Sequence, residues 1–128
     1  MAQGDGDRQA VDRFIMEEID TVPHLEALLL LWRNQKPWST ADMGKALYVS
    51  DEAAEKVLQD LVRRSLATLT PGDVDLYSYD SRAQEKNHLL TLLDEAYRRD
   101  LIRITRMIHG KASPAVREFA RAFRFKKD

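Results

Sequence analysis

At 128 residues the chain has room for one domain with a buried core and modest additions at its ends. Its 44% hydrophobic and 32% charged residues suit a soluble, helix-rich protein, and no apolar run approaches the roughly 20 residues that a membrane span needs. The absence of cysteine excludes disulfides and thiolate metal sites and points to the cytoplasm, while the net charge of -1 hides an asymmetry. Residues 1–80 carry eight Lys and Arg against fifteen Asp and Glu, and residues 81–128 carry twelve against six, so the front is acidic and the back basic.

Residues 1–9, MAQGDGDRQ, have nothing to bury and no apolar stretch of the secretory type, and are expected to form a flexible leader. Residues 10–80 are expected to form an N-terminal helix followed by the main domain. Val11, Phe14, Ile15 and Ile19 fall on one helical face. Thr21 and Pro23 then suit the start of a second helix, through an N-cap and a first-turn proline. Its run His24-Leu25-Glu26-Ala27-Leu28-Leu29-Leu30-Leu31-Trp32 is apolar on several sides and reads as the central helix, ended by Asn34-Gln35-Lys36-Pro37.

Trp38 stands just before Ser39. Ser39-Thr40-Ala41-Asp42 fits a capping box for a short helix to about Leu47, with Met43, Ala46 and Leu47 inward. Tyr48-Val49 turn the corner, and Ser50 caps a third helix from Asp51 to about Ser65 whose Val57, Leu58, Leu61 and Val62 share a face. After Leu66 the pattern alternates, and two short strands flank Pro71-Gly72-Asp73 as a hairpin. Residues 81–128 are expected to hold one long helix and a C-terminal helix. The long one runs from about Ser81 to His109 without Gly or Pro, roughly 29 residues or about 43 Å. Gly110 stops it, and Ser113-Pro114 begin the last helix, with Val116, Phe119, Ala120 and Phe123 on one face and basic residues at its end.

The segment STADMGKALYVSDEAAEKVLQDLVRRSLATLTPGDVDLYSY, in this order of capped helix, turn, second helix and hairpin, resembles the winged helix-turn-helix superfamily, and the MarR-like bacterial regulators in particular. The resemblance implies a mainly α fold with a small β-hairpin wing and extra helices at both ends. It also implies a transcriptional regulator that binds duplex DNA as a homodimer. On that reading Lys36, Lys45, Ser50, Lys56, Arg63 and Arg64 are the candidate DNA contacts. Phe14, Ile15, Leu93, Tyr97, Ile104, Phe119 and Phe123 are the candidate dimer contacts.

Charge supports a second reading. A DNA reader needs cations at phosphates, yet the second helix of the unit opens Ser50-Asp51-Glu52-Ala53-Ala54-Glu55-Lys56 and the hairpin tip holds Asp73 and Asp75. The alternative is a winged helix repurposed for protein contact, its acidic face meeting a basic protein partner. Trp32 and Trp38 are candidates for lining a ligand cleft, against a plain core role. His24, His88 and His109 are too far apart for a local metal motif. No phosphate loop, Ser-His-Asp set or activated nucleophile is visible, so neither an enzyme nor a cofactor is expected.

Overall fold

The computed structural model describes residues 2–111, with side chains from residue 6 onward. Its helices are α1 (Ala2–Glu18), α2 (Val22–Asn34), α3 (Thr40–Leu47), α4 (Asp51–Arg63), α5 (Asn87–Arg99) and α6 (Leu101–His109). Its strands are β1 (Trp38–Ser39), β2 (Ala67–Thr70) and β3 (Leu76–Tyr79), paired antiparallel in the order β1-β3-β2. This is the expected winged helix-turn-helix order with added helices. Trp38 lies opposite Tyr77, and Leu69 opposite the same tyrosine on the other side, so Tyr77 occupies the middle of the sheet and is fully buried.

Local chemistry sets the element ends. Thr21 caps α2 by accepting from the His24 N–H, with Pro23 in the first turn, and Gln35 ends the helix in the left-handed conformation (φ 39°). Ser39 caps α3 by accepting from Asp42 N at 3.0 Å, and Ser50 caps α4 by accepting from Ala53 N at 3.1 Å. Each such cap stabilises its helix by about 1 kcal/mol. Between α3 and α4 the chain turns so tightly that a Cβ on Gly44 would lie 3.1 Å from the Val49 carbonyl oxygen. The left-handed residue of that turn is Tyr48 (φ 58°), not a glycine.

α2 runs through the centre, burying Leu25, Ala27, Leu28, Leu29 and Leu31. One core continues from it into both halves of the chain: Met43, Leu58, Leu61, Leu66 and Tyr77 on the helix-turn-helix side, and Ile15, Ile19, Leu90, Leu93, Ile104 and Ile108 on the other. Asp94 of α5 accepts from Arg33 Nε of α2 at 3.0 Å, and Asp12 of α1 accepts from Arg103 of α6 at 3.1 Å.

Several expectations are corrected. Residues 2–9 belong to α1 rather than to a loose leader: the helix extends past its buried residues on backbone bonds. The long helix is broken. A 3-10 turn at Ser81–Lys86, capped by Asp80, leads into α5, and Asp100 (φ -120°, ψ 44°) separates α5 from α6. A straight helix of about 43 Å would carry Ile104 and Ile108 beyond the domain, whereas the break returns them to the core.

The same fold-back changes the role of the proposed dimer contacts. Phe14, Ile15, Leu93 and Ile104 are buried within a single chain and form its core, and Tyr97 is half-buried, its hydroxyl donating to Glu26 Oε2 at 3.3 Å. Ala46 is exposed, since α3 turns only Met43 and Gly44 fully inward. Phe119 and Phe123, with the whole C-terminal helix expected from Ser113, lie outside the described residues.

Candidate nucleic-acid interface

α3, the Tyr48 turn and α4 form the helix-turn-helix, and β2–β3 form the wing beside it. α4 buries Ala54, Val57, Leu58 and Leu61 against the core. The intervening positions face outward, and Asp51, Glu52, Ala53, Glu55, Lys56 and Gln59 are all exposed. α4 and the wing meet over the buried Tyr77. Burial pushes that phenol up from its usual pKa, and Glu55 of α4 and Asp75 of the wing push the same way. Two elements therefore bring carboxylates to one place.

The candidate contacts fare differently. Lys45 and Lys56 are exposed and make no ion pair among the described residues. Lys36 is exposed with its ammonium 4.6 Å from the centre of the Trp38 ring. Ser50 spends its hydroxyl oxygen on the α4 cap. Arg63 is paired with Asp60. Arg64 points back into the protein: it donates to the Glu17 carbonyl at 3.0 Å, to Glu18 at 3.4 Å and to both carboxylate oxygens of Asp20 at 3.2 Å, pinning the end of α4 to the end of α1. It is a structural tie rather than an outward cation.

Beneath this tie lies a cluster that sequence spacing does not reveal. His24 is buried, its Nε2 donating to Asp60 Oδ2 at 2.8 Å, and its Nδ1 lies 2.6 Å from the Thr21 hydroxyl. Because Asp60 can only accept, Nε2 carries the proton and Nδ1 accepts from Thr21. Burial lowers the His24 pKa from its usual 6.5; Asp20 opposes this, while Arg64, Lys56 and Lys111 add to it. Ligand atoms of Asp20, His24 and Asp60 lie within 4.8 Å of one another, a donor set of the kind zinc accepts. Each carboxylate already faces a guanidinium, Arg64 at Asp20 and Arg63 at Asp60. A divalent cation would add two charges against those two arginines, so the cluster is an ion-paired hydrogen-bond network.

The tryptophans serve packing. Trp38 is buried in the core, and Trp32 donates from Nε1 to Asn87 Oδ1 at 3.2 Å. A cavity of about 140 Å³ between α2, α3 and α5 is lined by Glu26, Leu30, Leu47 and Tyr97 among others, and by neither tryptophan. A larger cleft, about 390 Å³, opens between α1, α5 and α6 and includes none of the candidate DNA contacts.

Comparison of the whole fold identifies its type. RV1404 from Mycobacterium tuberculosis is similar over 95% of this chain and 82% of its own, at 18% identity and a TM-score of 0.52. A MepR point mutant from S. aureus, bound to an oligodeoxyribonucleotide, matches over 98% of this chain and 90% of its own, at 15% identity and 0.55. The adhesin competence repressor of Streptococcus pyogenes matches over 99% and 96%, at 17% identity and 0.52. The chain shares the winged-helix fold of these structures. No family model and no curated protein matches the sequence. At these identities the likeness is one of architecture, and function must be argued from this chain's own surface. No described helix is long and apolar enough to cross a membrane.

Proposed function

We propose that the chain is a cytoplasmic, dimeric transcriptional regulator that contacts duplex DNA through its winged helix, with α4 at the major groove. The observation that carries this reading is the one-sided presentation of α4 and the wing in the same fold as the DNA-bound MepR structure. Lys36, Lys45 and Lys56 supply the phosphate contacts, and the exposed Ser50 and Gln59 stand where α4 would meet the groove. Arg64 is left out of the contact set because α1 holds it. Among the described residues, the exposed apolar side chains Met16, Leu101 and Ile102 are offered to a second copy.

Six lysines per dimer set a salt slope of about -5, a loss of roughly a thousandfold in affinity between about 50 and 200 mM salt. Fluorescence anisotropy with genomic fragments measures it. Absence of salt-dependent binding near 50 mM overturns the proposal.

A second reading is favoured by the carboxylates of Asp51, Glu52, Glu55, Asp73 and Asp75, all exposed on α4 and the wing. Carboxylates at these positions oppose phosphate and suit a cationic protein surface. On this reading the winged helix is a protein-contact module. Capture of only nucleic acid, with no protein, from a lysate counts against it.

A further inference from the structure

The exposed face shared by α4 and the wing has no partner within the described residues, and its chemistry is mixed. The wing and the turn also hold large apolar side chains in solvent: Leu69 and Val74 in the wing and Tyr48 at the turn, 37%, 62% and 94% exposed. A face of this composition favours a ligand that carries both cations and apolar groups. Residues 112–128 have that composition. They hold Arg117, Arg121, Arg124, Lys126 and Lys127 against Glu118 and Asp128, with Phe119, Phe123 and Phe125 between them.

The end of the described chain lies at the right place. Lys111 Nζ donates to the Ile15 carbonyl at 3.1 Å and also to that of Ile19. Arg64, at the end of α4, donates to the Glu17 carbonyl in the same turn of α1. The chain therefore leaves the fold beside the C-terminal end of α4. Asp51, at the other end of that helix, is about 18 Å away along its axis, and 17 residues reach about 25 Å as a helix and more than 50 Å when extended.

We propose that residues 112–128 of the same chain dock on the α4–wing face, their cations against Glu52, Glu55 and Asp75 and their phenylalanines against Leu69 and Val74. The proposal rests on the acidic surface of the second reading above and is independent of DNA binding.

The test uses the full-length protein without nucleic acid, in an equal mixture of isotope-labelled and unlabelled chains. Zero-length carbodiimide coupling joins the Lys126 and Lys127 amines to any carboxylate in contact, and peptide mass spectrometry maps the products. Links to Glu52, Glu55, Asp73 or Asp75 within one isotope label, abolished by high salt, are expected. Links of mixed label place a second copy's segment on the face and overturn the intrachain seat; links confined to Glu17, Glu18 and Asp20, or none, overturn the docking itself. A second measurement uses the exposed-site variant Glu52→Gln/Glu55→Gln, with helix content checked by circular dichroism. Trypsin is expected to cut after Arg117, Arg121 and Arg124 several-fold faster than in the parent, and equal rates also overturn the proposal.

Discussion

His24 and Asp60 stand 36 positions apart in the chain and 2.8 Å apart in the fold. Nothing in their spacing announces the pair; α2 and α4 must pack before the imidazole meets its carboxylate. Burial holds the His24 pKa below 6.5, so below that pH the unfolded chain takes up a proton that the folded chain resists. This contribution to stability is therefore complete above about pH 6.5 and is lost as the pH falls from there toward the folded value. Urea unfolding between about pH 5 and 7.5 should show the decline, and the variant His24→Gln should flatten it; an unchanged slope in the variant would assign the decline to other groups. Arg64 and Lys56 separate two roles that composition alone gives to every cation. Lys56→Ala, which removes two of the six lysines of a dimer, should weaken DNA binding and reduce the salt slope by about 2. Arg64→Ala should leave the slope unchanged and cost about 1 kcal/mol of stability, a modest figure because its carboxylate partners are partly exposed.

At the scale of elements, the helix-turn-helix is held by short-range chemistry. Ser39 and Ser50 are caps in the sequence and caps in the structure, and the wing hairpin closes where Pro71-Gly72-Asp73 predicts. Tyr48 is the exception to local preference. A left-handed backbone costs an L-residue roughly 1–2 kcal/mol, which glycine avoids, and Tyr48 is 94% exposed with little packing to lose. Tyr48→Gly should therefore raise stability by about 0.5–1 kcal/mol after the greater unfolded-state entropy of glycine is subtracted, seen as a higher urea midpoint. A lower midpoint would show that the tyrosine ring is held by a contact that stabilises the turn. The break at Asp100 is the element that periodicity misses. Apolar residues continue through it, and only its bridge-region backbone divides α5 from α6.

For the whole molecule, the fold-back of α6 decides which apolar residues remain for another chain. Leu93 and Ile104 are spent on the core, whereas Leu101 and Ile102 are 50% and 68% exposed. Ile102→Glu is expected to convert a dimer to a monomer in sedimentation while leaving thermal stability of the single chain nearly unchanged; Leu93→Ala should instead cost about 2–5 kcal/mol of folding. A dimer that persists in Ile102→Glu would place the interface elsewhere. The acidic front and basic back were legible as counts, and so were the capped helices, the central α2 and the wing, because caps, turns and short periodicities act over a few residues. Burial of the stripe on α5 and α6, the His24–Asp60 pair and the inward pull on Arg64 depended on tertiary packing. Each requires segments tens of residues apart to share one core, and an apolar side chain fits a core or an interface equally well until the chain's path decides which one it meets.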